Sequence, residues 1–96
     1  MSGIESLTLD TFAGRAGEEF RMSEPASVLI LEEAYRVGAE PAAGRGQFSL
    51  IFLAPPGPVL AQRIYALDHA DLGPMDIFLV PISSDATGVR YQAVFT

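Results

Sequence analysis

The chain has 96 residues, of which 49% are apolar and 19% are charged, and its formal net charge is −6. A chain of this length has room for one hydrophobic core, so we expect a single domain over residues 1–96. All six bases are arginines scattered among acids, whereas nucleic acids and anionic membranes require clustered positive charge. We therefore expect neither nucleic acid nor membrane as a partner.

Two features that the sequence lacks limit its possible chemistry and its expected cellular location. The chain has no cysteine, which excludes disulfides and thiolate catalysis. Its N-terminus has no basic region followed by an apolar run, and no apolar stretch approaches the ~20 residues of a membrane-spanning helix. We therefore expect a soluble protein in the cytoplasm.

The first predicted element is a short N-terminal helix. Apolar residues between Leu9 and Phe20 recur at spacings of three and four, which is the helical period. Thr8 is the predicted N-cap, and Gly14 and Gly17 limit how far the helix extends. The spacing predicts one helix over residues 8–15.

From Glu18 onward the apolar period is two, in short runs separated by glycine and proline. Strands are predicted over residues 19–22, 28–37, 47–53, 63–69, 75–82 and 89–95. Tight turns are predicted at 71–74 and 83–88, and a flexible loop at 38–46. Without strand-helix-strand alternation, this pattern predicts a mainly-β fold, a small antiparallel β-barrel or two-sheet sandwich of about six strands.

Two predicted strands are apolar on both faces. In 47–53, Phe48, Leu50 and Phe52 alternate with Ile51 and Leu53, which face the other way. The run 75–82 is almost wholly apolar, and we interpret it as the best candidate for a core strand.

The strand 28–37 contains one polar residue on its apolar face. Leu29, Leu31, Tyr35 and Val37 are predicted to share that face, and Glu33 interrupts it. A buried acid needs a partner, and Arg63 or Arg90 would serve. An edge position or a local β-bulge explains Glu33 equally well and is the simpler interpretation.

The only histidine, His69, is the starting point for any hydrolase or metal site, because Asp68 and Asp71 flank it. A metal site requires three or four convergent ligands, and no second imidazole or thiol exists here. We therefore interpret His69 as the residue that ends a strand at the 71–74 turn. We expect no catalytic residue, no metal and no cofactor, and an enzyme using His69 is the weaker alternative.

Aromatic residues offer a different alternative, a small-ligand-binding barrel. Phe48, Phe52, Tyr65 and Phe78 are predicted to line its cavity. A barrel this small is normally filled by its own side chains, which favours core packing for these rings.

Four segments together resemble a known family: LTLDTFAGRAGEEFRM, QFSLIFLAPPGP, YALDHADLGPMDIFLVPI and RYQAVFT. They are similar to short bacterial proteins classed as a domain of unknown function. The resemblance implies small proteins found beside phage-tail-like and tail-collar-type proteins, with a structural or adaptor role and no catalytic residues. It also implies a second location, incorporation into a phage-tail-like assembly.

The apolar excess and the missing chemistry predict a non-enzymatic protein-interaction or assembly module. Its partner is expected to be another protein or a second copy of the chain. The predicted contacts are either a strand edge over residues 90–96, which would pair with another chain, or outward side chains, which would pack in a symmetric dimer. The outward set consists of Ile51, Leu53, Arg90, Gln92 and Val94.

Overall fold

The computed structural model describes residues 7–38 and 47–95. Its elements are helix α1 (Leu9–Phe12) and strands β1 (Glu19–Ser23), β2 (Ala26–Val37), β3 (Gln47–Ala54), β4 (Arg63–His69), β5 (Gly73–Asp85) and β6 (Gly88–Phe95). Over these ranges no helix has the length and apolar character needed to cross a membrane. Apart from Gly38, the predicted 38–46 loop lies outside the described residues.

The strands form a closed barrel in the order β1-β2-β3-β6-β5-β4, and all neighbours are antiparallel. The first three strands make one meander and the last three make another. These meanders meet twice, where β3 pairs with β6 and where β1 pairs with β4. The prediction of a mainly-β fold with about six antiparallel strands and one short helix is confirmed, and the sheet closes as a barrel.

The middle strand of each meander is long because it serves two neighbours in turn. β2 pairs with β1 as far as Ile30 and with β3 from Ile30 to Val37. β5 pairs with β4 as far as Leu79 and with β6 from Val80 onward. Each also shifts register once, between Leu31 and Glu33 in β2 and between Pro81 and Ser83 in β5. Such bulges bend a strand and so help a six-stranded sheet to close.

The bulge in β2 changes which residues face the core. Leu29 and Leu31 are buried as predicted, but beyond the extra residue Tyr35 is 40% exposed and Ala34 packs against the core. The prediction that Tyr35 and Val37 share the face of Leu29 is therefore wrong. The bulge interpretation of Glu33 is confirmed, and Glu33 is exposed.

The helix α1 closes one end of the barrel. Phe12 is fully buried, and its ring centroid lies 6.2 Å from that of Phe20, 6.1 Å from that of Phe48 and 6.0 Å from that of Phe95. The helix is shorter than the predicted 8–15, because Ala13 is already extended and Gly14 has a φ of 84°. A left-handed glycine ends a helix at little steric cost.

The β5–β6 hairpin is set by an aspartate and a glycine. Asp85 Oδ1 accepts the N–H of Thr87 at 2.8 Å and that of Gly88 at 3.3 Å. These hydrogen bonds, that of Thr87 first, lower the pKa of Asp85. A Cβ on Gly88 would collide with the carbonyl oxygen of Ala54, so only glycine fits. The predicted hairpin is confirmed, but its connection is shorter than 83–88, because residues 83–85 belong to β5 and Gly88 begins β6.

Candidate functional site

The five predicted contact residues lie together on the outer face of β3 and β6. Leu53 is paired with Arg90 and Ile51 with Gln92 across the two strands. Their exposure differs widely, because Val94 is 54% exposed and Ile51 only 8%. Leu53, Arg90 and Gln92 are half-buried.

Polar contacts cover this outer face. The Arg90 Nε donates to Glu32 Oε1 at 2.8 Å, and its Nη1 reaches Asp85 Oδ2 at 3.5 Å. The Glu32 hydrogen bond is the main cause of the raised pKa of Arg90. Gln92 Nε2 donates to Tyr35 Oη at 3.3 Å and to Ser49 Oγ at 3.4 Å. Little apolar surface therefore remains for a partner at the centre of the predicted set.

The predicted free edge over residues 90–96 is wrong over its first part. Arg90 and Gln92 pair with β3 on one side and with β5 on the other. A strand that is paired on both sides has no free backbone N–H and C=O groups with which a further strand could pair. Thr96, the last residue of the predicted edge, lies outside the described residues.

Among the residues that the structure describes, the largest group of exposed apolar side chains lies instead on β4 and β5. Ile64 and Phe78 are directly opposite each other on the two strands and are 62% and 49% exposed. Val80 follows on the same face of β5 and is half-buried, and Ile82, at the bulge, is 48% exposed. We call Ile64, Phe78, Val80 and Ile82 the β4–β5 face. The sequence interpretation of 75–82 as a core strand is correct only for the alternate residues Met75, Ile77 and Leu79.

The register of the β4–β5 hairpin determines which residues lie on this face. The turn after His69 pairs it with Gly73, and counting outward from that pair sets Ile64 opposite Phe78. Tyr65 and Leu67 then point into the core, as predicted from the alternation. None of the four residues of the β4–β5 face is charged or able to form a side-chain hydrogen bond. Directly opposed apolar side chains on an outer face are typical of a contact surface.

His69 has both ring nitrogens committed to structural hydrogen bonds. Nδ1 accepts the backbone N–H of Asp71 at 3.0 Å and that of Leu72 at 3.1 Å. Because a backbone N–H can only donate, Nδ1 carries no proton, and Nε2–H donates to Glu18 Oε1 at 2.6 Å. The buried ring therefore ties the β4–β5 turn to the start of β1, and it ends β4 at the turn as predicted.

The acids beside His69 do not form a catalytic or metal cluster with it. The Asp71 carboxylate contacts Arg15 Nη1 at 3.4 Å, and Asp68 lies on the outer face opposite Arg21. Within the ranges 7–38 and 47–95, no group of three or more His, Cys, Asp or Glu side chains is placed to hold a metal ion. A groove of about 430 Å³ beside His69 is open and lined mainly by acids, together with Arg21.

The predicted aromatic cavity lining is not brought together. Phe48, Phe52 and Tyr65 are buried in the core, while Phe78 lies on the outer face. Phe52 packs edge-on against Phe20 at 5.2 Å, and Phe48 stacks on Phe95 at 4.6 Å. These rings fill the barrel, as the core-packing interpretation expects.

The Glu18 contact predicts a pH dependence of stability. The hydrogen bond from His69 lowers the pKa of Glu18 below its ordinary 4.5, and the hydrogen bond and charge of Arg15 lower it to a smaller extent. A lowered folded-state pKa stabilises the fold above the unfolded pKa, and this contribution is lost as the pH falls through the folded value. Wild type is therefore expected to be more stable than Glu18→Gln at neutral pH, and the difference should shrink as the pH falls below 4.5.

Urea unfolding of both proteins across this pH range measures the difference directly. A gap between the two unfolding midpoints that stays constant from neutral to acid pH would contradict the assignment.

Comparison with known proteins identifies a family and nothing finer. The profile of a family described as "Domain of unknown function (DUF6916)" matches residues 7–95. No curated protein matches the chain. No solved structure matches it either.

Proposed function

We propose that this chain, which belongs to the family described as Domain of unknown function (DUF6916), is a non-enzymatic protein-interaction module. The observation that carries the proposal is the outward cross-strand pair Ile64 and Phe78. The β4–β5 face is the contact surface, and the partner covers it with an apolar surface of its own.

The energetics of burial support this surface over the β3–β6 face. Fully burying an exposed aromatic or branched side chain contributes about 1.5–3 kcal/mol, so covering one that is half-exposed contributes about half as much before the costs of association. Ile64 is 62% exposed and Phe78 is 49% exposed, and the two have adjacent positions, so one partner side chain can contact both. On the β3–β6 face, a partner would first have to displace the Arg90–Glu32 hydrogen bonds.

The geometry of His69 supports a non-enzymatic role. A general base needs a free nitrogen within hydrogen-bond reach of a substrate. In this chain one nitrogen of His69 is held by two backbone N–H groups and the other by Glu18. The imidazole is part of the turn and of the core beside Phe20, at 4.7 Å between ring centroids.

The proposal includes an assembly setting. The resemblance of the sequence to proteins encoded beside phage-tail-like proteins supports a structural or adaptor role there. Phage-tail-like proteins are therefore the first partners to test. In that setting the small barrel is a connector, and the β4–β5 face is the surface that joins it to the next subunit.

Partner capture from native lysate tests the proposal. Phe78→Ser removes the exposed ring from the β4–β5 face, and Tyr35→Ser removes an exposed ring from β2, which is separated from β5 by β3 and β6. For the captured partner we expect Phe78→Ser to weaken binding by about 30-fold or more, as at an interface hot spot, and Tyr35→Ser to leave it unchanged.

Both variants should unfold at temperatures close to that of wild type, because both side chains are on the surface. Equal capture by wild type and Phe78→Ser, or loss in both variants alike, would contradict the proposed surface.

A further inference from the structure

Acidic side chains lie next to the exposed apolar pair of the β4–β5 face. From Ile64 and Phe78 toward the turn, the next outward cross-strand pair is Ala66 opposite Asp76, and Asp68 follows on β4. All of these side chains are exposed. Side chains on one face of a strand repeat every second residue, about 7 Å along it. Asp76 is therefore an immediate neighbour of Phe78 on the outer face.

The Asp76 carboxylate has no partner in the part of the chain that the structure describes. It takes part in no ion pair and no side-chain hydrogen bond within residues 7–38 and 47–95. Its cross-strand neighbour Ala66 carries only a methyl group, so the carboxylate is open to a partner on that side. Asp68 differs, because Arg21 lies opposite it on β1.

A partner that covers Phe78 also removes water from Asp76. Burying a carboxylate without a counter-charge costs free energy, whereas the loss of water strengthens its attraction to a counter-charge that is present. A purely apolar partner would therefore lose at Asp76 part of the free energy that it gains at Ile64 and Phe78. A complementary partner places a positive charge beside this carboxylate.

An arginine suits this position better than a lysine. Its planar guanidinium stacks on an aromatic ring and donates two parallel hydrogen bonds to a carboxylate, whereas a lysine ammonium acts as a point charge. Phe78 has the exposed ring and Asp76 the carboxylate, about 7 Å apart along the same face of β5. A guanidinium between them contacts both groups.

We infer that the partner of the β4–β5 face presents an arginine, which lies on the Phe78 ring and pairs with the Asp76 carboxylate, beside apolar side chains that cover Ile64. This inference rests on the proposed function and adds the chemistry of the partner to it. The net charge agrees with it at longer range, because a chain of charge −6 attracts a basic partner.

The same chemistry disfavours a second copy as the partner. A two-fold contact uses one patch on both copies, so the patch itself would have to supply the arginine. Residues 64–68 and 74–82 include no base. Arg63, at the start of β4, is committed to the Tyr65 ring, with its guanidinium carbon 5.1 Å from the ring centroid.

The probe for this inference is a library of random dodecapeptides displayed on phage. Peptides are selected on the wild-type chain and depleted on Phe78→Ser, which leaves those that need the β4–β5 face. A parallel selection depleted on Tyr35→Ser controls for general attraction to an acidic protein, because Tyr35 is an exposed ring on β2. We expect arginine to be at least about three times as frequent in the Phe78-dependent peptides as in the Tyr35-dependent ones.

Variants of Asp76 then test the ion pair on one Phe78-dependent peptide, made synthetically. An exposed ion pair changes affinity by up to about 5-fold, so we expect about 5-fold weaker binding for Asp76→Asn and about 25-fold for Asp76→Arg, which adds repulsion of similar size. Glu33→Arg, the same charge reversal at an exposed acid of β2, should bind as wild type does. A peptide with glutamate in place of its arginine should prefer Asp76→Arg to wild type.

Equal arginine frequencies in the two selections, or a selection that yields no Phe78-dependent peptide, would overturn the inference. Equal affinity of wild type and Asp76→Arg for the peptide would overturn it too. Capture of the native partner separates the two proposals. If capture requires Phe78 but is the same for wild type and Asp76→Arg, the arginine is refuted and the proposed function stands. If capture does not depend on Phe78, both are refuted.

Discussion

Replacing Phe12 with alanine is expected to lower the free energy of unfolding by about 3–5 kcal/mol, the usual cost of emptying a buried phenylalanine site. Phe12 is fully buried, and its ring contacts the rings of Phe20, Phe48 and Phe95. The side chain comes from a helix of four residues, which has no stability of its own. The helix is therefore held in place by tertiary contacts, of which this fully buried ring is the largest, beside the buried Leu7 and the partly buried Leu9.

The matched control is Phe78→Ala, the same chemical change on the outer surface. Phe78 is 49% exposed in the isolated chain, so its removal leaves no enclosed cavity and is expected to cost under about 1 kcal/mol. Urea unfolding followed by circular dichroism measures both variants. Similar costs for the two variants would show that α1 does not close the core as described.

The second large effect is expected for His69→Ala, with a loss of about 2–4 kcal/mol in the free energy of unfolding. The change leaves the N–H groups of Asp71 and Leu72 without their acceptor and removes the donor to Glu18. It also removes a buried ring beside Phe20. Partner capture by the folded fraction should be unchanged, because His69 is not part of the β4–β5 face.

Two conservative replacements separate the functions of the two nitrogens. His69→Asn places an amide oxygen close to the Nδ1 position, so it should recover the turn contacts with Asp71 and Leu72 and only those. His69→Gln places its amide nitrogen close to the Nε2 position, so it should recover the contact with Glu18. A His69→Ala variant that is as stable as wild type but has lost its biological activity would contradict the structural role and revive the enzyme alternative.

The strands could be predicted from the sequence because their alternation is bounded by strong turn signals. β4 begins and ends where the period-two pattern does, at Arg63 and His69. β6 alternates as predicted, with Tyr91 inward and Gln92 outward. β5 extends beyond its predicted bounds of 75–82, because Gly73 and Asp85 themselves complete the two hairpin ladders.

The bulges were harder to locate, because they depend on closure of the sheet. One extra residue in β2, at position 32, moves Tyr35 to the outer face. The alternation of apolar and polar residues does not indicate where this extra residue lies. The polar Glu33 on a predicted apolar face was the only signal of a register change. Its predicted arginine partner Arg90 is bound by the adjacent Glu32 instead.

The sequence indicated the outer face of β3 and β6, and not the β4–β5 face, as a candidate contact surface for a physical reason. Ile64 and Phe78 belong to apolar runs, and a run that is apolar on both faces is equally consistent with complete burial. The described strands form one closed sheet with α1 at one end, so none of these elements packs over the outer face of β4 and β5. Likewise, Glu18 lies 51 residues before His69, and only the closed barrel brings the two together.

The central claim is that a partner contacts the β4–β5 face. Site-specific photo-cross-linking in the native cell tests it most directly, with p-benzoylphenylalanine placed at position 78 or at position 35, both exposed aromatic positions. We predict a discrete cross-linked product from position 78 and none from position 35. Products from position 35 alone, or the same products from both positions, would contradict the claim.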